Sequence, residues 1–144
     1  MIIKQLSVFV ENKPGRLLEI TSVLGDNGID IRAMSLADTT KFGILRLIVN
    51  EPGKAENILK EAGFTVSLTQ VLALGLKDTP GGLAAVLKIL KQAGIEVEYV
   101  YAFFVSCAVD YASVIIRVED NDKAAEVLKE NGVKLLDAEE VYNR

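Results

Sequence analysis

The chain has 144 residues, with 20 acidic and 16 basic side chains, a formal net charge of −4 and no histidine. Half of the residues are hydrophobic and a quarter charged, a globular composition; the acidic balance without a Lys/Arg cluster speaks against nucleic acid and against an anionic membrane. Lacking histidine, the chain has neither the commonest general base near neutral pH nor the commonest metal ligand, so no cofactor or metal is expected.

Residues 2–11 predict a strand, with Leu6, Val8 and Val10 alternating with Gln5, Ser7 and Phe9. Residues 15–27 predict a helix: Leu17, Ile20, Thr21 and Leu24 occupy i, i+3, i+4 and i+7, and Gly28 stops it. Residues 29–37 and 43–50 read as a strand pair, with Ile29, Ile31 and Ala33 on one face and Asp30, Arg32 and Met34 on the other. A second helix follows at about 53–62, with Ala55, Ile58, Leu59 and Ala62 inward and Gly63 at its end. Residues 64–74 read as the unit's last strand, running close to another first strand at about 71–78.

From there the pattern starts again. Pro14-Gly15 recurs 66 residues on as Pro80-Gly81, Leu17 as Leu83, Leu24 as Leu90 and Gly28-Ile29 as Gly94-Ile95. Further along the offset becomes 69: Leu59-Lys60-Glu61 recurs as Leu128-Lys129-Glu130 and Gly63 as Gly132. One duplication with a three-residue length difference accounts for both offsets, and the extra residues fall around 105–111, where a loop tolerates them. Copy two repeats the helical stripe as Leu83, Val86, Leu87 and Leu90. On its second strand Tyr99, Tyr101 and Phe103 alternate and read as core side chains. Glu119, Asp120 and Asp122 suit the start of the last helix, while Asp137, Glu139 and Glu140 are expected to decorate a final strand as edge protection. Cys107, beside Ser106 and Asp110, is the single cysteine; it rules out an intrachain disulfide and reads as a partly buried thiol.

Each copy is therefore βαββαβ, giving an α+β chain of two ferredoxin-like domains, residues 1–70 and 71–144. Each is expected to form a four-stranded antiparallel sheet with both helices on one face. No Pro/Gly/Ser-rich linker separates them, which predicts rigid packing and one joined eight-stranded sheet. No signal-peptide pattern and no apolar run of transmembrane length is present, so a cytoplasmic protein is expected.

The turn before each first helix carries the chemistry. It reads Glu11-Asn12-Lys13-Pro14-Gly15-Arg16-Leu17 in copy one and Lys77-Asp78-Thr79-Pro80-Gly81-Gly82-Leu83 in copy two. Proline suits a first helical turn, glycine permits close approach, and the amides at a helix start favour a small anion such as a carboxylate. Asn12 or Asp78 can add an acceptor, and an acceptor beside anion-binding amides suits a zwitterion. The strand after the helix, Gly28-Ile29-Asp30-Ile31 or Gly94-Ile95-Glu96-Val97, offers a second wall.

A βαββαβ unit with (Asn/Asp)-x-Pro-Gly-x-Leu after its first strand and Gly-Ile-(Asp/Glu)-(Ile/Val) after its helix resembles the ACT domain. The resemblance covers almost the whole chain, as two tandem copies without a catalytic domain. It implies an allosteric amino-acid sensor that pairs side by side, the expected partners being a second copy in a homodimer and a metabolic enzyme or regulator. It also implies effectors between the helix-start loop of one unit and the second strand of its neighbour. The first candidate ligand site is then Asn12, Pro14, Gly15, Arg16 and Leu17 with Asn27, Ile29, Asp30 and Ile31. The second is Asp78, Pro80, Gly81, Gly82 and Leu83 with Ile95, Glu96 and Val97. Arg16 makes the first loop the expected carboxylate site; the second is expected to bind differently or only to hold the fold. Two other readings compete: a purely structural interaction module, and an acylphosphatase-like enzyme of the same shape, whose Gly-x-Val-x-Gly-Val-x-Phe-Arg pattern is absent.

Overall fold

A computed structural model describes residues 2–38, 41–103 and 111–142. The chain divides into two compact units, residues 4–69 and residues 70–144 together with residues 1–3.

The first unit contains most of β1 (Ile2–Glu11), then α1 (Arg16–Asp26), β2 (Ile31–Asp38), β3 (Phe42–Val49), α2 (Pro52–Glu61) and the first residues of β4 (Thr65–Lys77). Its strand order is β2-β3-β1-β4. The β1/β3 ladder is antiparallel, with Leu6 opposite Leu47 and Val8 opposite Leu45. Those four side chains are fully buried and meet Ile20 and Leu24 of α1 and Ala55 and Leu59 of α2. The period-two face of the sheet and the helical stripe thus close one core, as the sequence pattern predicts, except that Leu17, at the start of the expected stripe, is exposed and outside it. Ala62 is exposed, because the chain has already left α2 at that cap residue.

The second unit runs through the rest of β4, α3 (Gly82–Gln92), β5 (Val97–Ala102), β6 (Tyr111–Val118), α4 (Asn121–Glu130), β7 (Lys134–Leu136) and α5 (Ala138–Tyr142). Its order is β5-β6-β4-β7, with Leu72 opposite Ile116 and Ala73 opposite Leu136. Leu72, Leu74, Val86, Leu90, Ile116 and Leu128 head its core, and Ile2 from the start of β1 packs against it. Cys107, with Ser106 and Asp110, lies outside the described residues.

Four details differ from the sequence reading. Among the described residues the expected eight strands are seven, because residues 65–77 form one 13-residue strand, β4, that serves as the last strand of the first unit and the first of the second. The apolar run Val71-Leu72-Ala73-Leu74 carries no turn residue that would divide it.

The second difference is a register shift between Ile31 and Ala33, repeated between Val97 and Tyr99. A bulge inserts one residue and resets the alternation. Ile29, Ile31 and Met34 consequently face the first core, while Ala33 lies opposite Ile48 and neither belongs to that core.

In copy two the same bulge sends Val97 and Val100 to the core. Tyr99 and Tyr101 are not core residues: they stack on each other, half-buried, with centroids 6.4 Å apart.

Finally, Glu139 and Glu140 decorate a short helix, not a strand. The Asp137 carboxylate accepts the Glu140 N–H at 2.9 Å, and the Glu140 carboxylate accepts the Asp137 N–H at 3.5 Å. This reciprocal cap ends β7 after three residues.

The acidic run before α4 does cap its helix, since Asp120 accepts the Lys123 N–H at 3.1 Å. Asp120→Ala is expected to cost about 1 kcal/mol, read as a lower urea midpoint at unchanged slope. An unchanged midpoint would show that solvent satisfies that amide equally well.

Candidate functional site

The two Pro-Gly loops share one backbone geometry. The Lys13 carbonyl accepts the Arg16 N–H at 3.4 Å, and the Thr79 carbonyl accepts the Gly82 N–H at 3.0 Å. Gly15 lies at φ 85, ψ −6 and Gly81 at φ 85, ψ −2. Both are type II β-turns, with proline at the second position and glycine at the third. Pro14 and Pro80 therefore precede their helices, and do not occupy the first turn as the sequence suggested. Gly15 and Gly81 are there for the positive φ, which other residues reach only with strain. They are also the N-cap residues, so no side chain caps α1 or α3. Asn12 and Asp78 are not the N-cap residues. The first amides, of Arg16 and Gly82, are taken by the turn carbonyls, while the next two of each helix, of Leu17 and Leu18 and of Leu83 and Ala84, precede the first intrahelical bonds, from Glu19 and Ala85, and are left for a ligand or solvent.

The charges around the two loops differ. In the first unit Arg16 reaches Glu19 at 3.0 Å and Glu11 at 3.8 Å. Glu11 also pairs with Lys13 at 2.9 Å. The hydrogen bond and charge of Lys13, then the charge of Arg16, hold the Glu11 carboxyl below the usual carboxylate range. The cation expected to attract a carboxylate is thus already shared between two carboxylates. In the second unit Lys77 stands at the place of Glu11 and Gly82 at that of Arg16. A Cβ on Gly82 would overlap the carbonyl oxygen of Lys77, so no side chain fits there.

The strand-side residues lie at the other end of the helix. Asn27 follows α1 and donates to the Val23 carbonyl at 2.8 Å, while its own carbonyl accepts from Lys54 at 3.3 Å. Asp30 accepts the Asn50 N–H through its carbonyl at 3.2 Å and donates its N–H to Asn50 Oδ1 at 2.9 Å. Its carboxylate pairs with Arg32 at 3.0 Å. Ile29 and Ile31 point into the first core, and Ile95 and Val97 into the second. Glu96 is exposed on the rim of a shallow hollow with Leu87 and Lys91.

Loop and strand start are separated by α1, 11 residues or roughly 16 Å. The same holds for α3, also 11 residues. Neither unit brings its own loop and strand start around one small molecule. Asn12, Lys13, Arg16 and Leu17 meet instead the far end of β2, at Leu36 and Asp38, in a cavity of about 120 Å³ that Pro14 and Gly15 do not line.

Two larger cavities were missed by the sequence reading. In the first unit one of about 390 Å³ lies between Arg16 and the chain at Ala62–Thr65, with Phe9 and Phe42 meeting edge to face at 6.5 Å. In the second unit one of about 370 Å³ lies between the Pro80-Gly81-Gly82 turn and residues 131–134. The repeat relates them: Phe42 corresponds to Tyr111, Gly63 to Gly132 and Thr65 to Lys134. Aligning the copies was the available signal. Among the described residues no group of three or more His, Cys, Asp or Glu side chains could hold a metal ion. No helix among them is long and apolar enough to cross a membrane.

Protein BT0572 from Bacteroides thetaiotaomicron has a crystal structure that superposes with a TM-score of 0.93 at 44% identity, covering 100% of this chain and 98% of that one. The ligand-free regulatory subunit of aspartate kinase from Thermus thermophilus gives 0.64 at 16% identity, over 88% and 91% of the two chains. The corresponding subunit from Thermus flavus gives 0.62 at 15%, over 88% and 90%. At those identities the two kinase subunits speak for a shared fold. No functionally curated protein matches. Residues 1–143 match the family described as the ACT domain pair, and with the duplicated turn, bulge and core this chain belongs to that family.

Proposed function

We propose that this chain is a non-catalytic regulatory protein that binds a free amino acid where the helix-start loop of one unit meets the second-strand start of another. The observation that carries this reading is the duplicated type II turn with a glycine N-cap, which leaves the second and third amides of α1 and α3 without a side-chain cap. Helix-start amides take a carboxylate. Completing such a site needs a second unit, because each unit's own strand start lies a full helix away. A second copy of the chain, as a homodimer in the cytoplasm, is the proposed source of that strand. A metabolic enzyme or regulator is the proposed reader of the change, which requires that the effector bind the arrangements of the units with different affinities. That regulatory subunits share the fold is consistent with this role.

A thermal-shift screen of the standard amino acids tests the proposal, since a ligand that binds only the folded form raises the melting temperature. A saturable rise with one or a few of them is expected. Asn12→Ala should weaken that binding more than Asp78→Ala does, by about tenfold if one hydrogen bond to the charged ligand is lost. No shift at millimolar concentration would replace the sensor by an interaction module.

A further inference from the structure

We propose that the second unit holds a separate pocket for an organic carboxylate with an apolar body and no ammonium group, in the cavity beside the Pro80-Gly81-Gly82 turn. Its counterpart lies in the first unit, beside Arg16. That cavity is lined by Phe9, Glu11, Arg16 and Phe42, so an aromatic pair and an ion pair occupy its walls. In the second unit Gly75 stands for Phe9, Lys77 for Glu11 and Gly82 for Arg16. The exchange cannot be undone by a side chain at position 82, because the Lys77 carbonyl closes that direction.

What remains is a cavity of about 370 Å³ with apolar walls at Ala85, Ile89 and Val133. That size lies within the usual range of small-molecule sites. Its charge is one-sided: Lys77 and Lys134 line it, and no carboxylate does. Lys134 shares its ammonium with Glu140 at 3.6 Å, which leaves Lys77 as the cation without an ion pair among the described residues. An anion entering here also meets the uncapped start of α3. The ammonium of an amino acid would find no carboxylate among the lining residues, and the Lys77 carbonyl is turned against Gly82. An oxo acid carries the same carboxylate and apolar body without that unmatched charge, so the pocket discriminates by what it lacks.

Calorimetry on the full chain with 4-methyl-2-oxopentanoate as probe, beside L-leucine and the uncharged ketone 4-methyl-2-pentanone, tests this. The oxo acid should bind saturably, and the ketone and leucine should not compete for the pocket. Lys77→Gln should weaken the oxo acid about fivefold, the scale of one exposed ion pair. Ala85→Phe should abolish its binding by filling the cavity; Ala85 is exposed on α3, so the fold should survive, and an unchanged melting temperature confirms it. Absence of saturable binding, equal binding of the ketone, or binding undiminished in both variants would overturn the proposal. The amino-acid screen, sensitive to Asn12→Ala, reports on the loop–strand site independently, so either reading can fail without the other.

Discussion

Exchanging the first helical residues of the two copies is expected to damage one unit and spare the other. Gly82→Arg should cost the second unit at least about 2 kcal/mol, whereas Arg16→Gly should cost the first about 1 kcal/mol or less. The asymmetry is steric. The Lys77 carbonyl oxygen lies where the first side-chain carbon of residue 82 would be built, and backbone cannot swing aside as a flexible side chain can. At Arg16 the side chain runs along the surface to Glu11 and Glu19, and exposed pairs of this kind contribute little. Gly82→Ala separates the steric effect from charge. It should reproduce most of the loss, reduced by the few tenths to 1 kcal/mol that alanine contributes by restricting the unfolded chain. Urea denaturation of the four proteins, wild type included, reads all of this. A neutral Gly82→Ala would mean that the turn yields freely, and the close seat would then not be what distinguishes the copies.

The repeat itself was legible because it is written in side chains whose role is local. Leu24 and Leu90 sit at equivalent points of equivalent stripes, and Pro14-Gly15 and Pro80-Gly81 carry the turn type in their own backbone preferences. The bulges at Arg32 and Glu98 were not legible, since an uninterrupted Ile-x-Ile-x-Ala alternation gives no sign that one residue is inserted against the partner strand. Position 82 illustrates the same limit in the site. Sequence shows a glycine facing an arginine across the repeat and invites an electrostatic reading. What excludes a side chain there is the carbonyl of Lys77, five residues earlier, and that contact exists only once β4 and α3 have packed. The electrostatic reading of Arg16 missed its partners for a related reason: Glu11 lies on β1 and Glu19 on α1, and only the turn between them brings both within reach.

Leu24→Ala and Leu90→Ala should each cost about 3 kcal/mol, the range set by lost burial plus the cavity left behind. Both side chains are fully buried, one against β1, β3 and α2, the other against β4, β6 and α4. Leu18→Ala, on the outward side of α1 at 69% exposure, supplies the contrast and should stay within about 0.5 kcal/mol. The double variant Leu24→Ala/Leu90→Ala discriminates further. The two buried clusters have no residue in common, and substitutions with no shared partner usually add to within about 0.5 kcal/mol. An additive loss is therefore expected from equilibrium denaturation, with the melting temperature lowered by each substitution in turn. A shortfall well beyond that margin would mean that one cavity relaxes the other core. Strand β1 carries Ile2 in the second core and Leu6, Val8 and Val10 in the first, and β4 carries Val66 in the first and Leu72 in the second; these two strands are where such coupling would run, and Ile2→Ala in the Leu24→Ala background tests the route through β1.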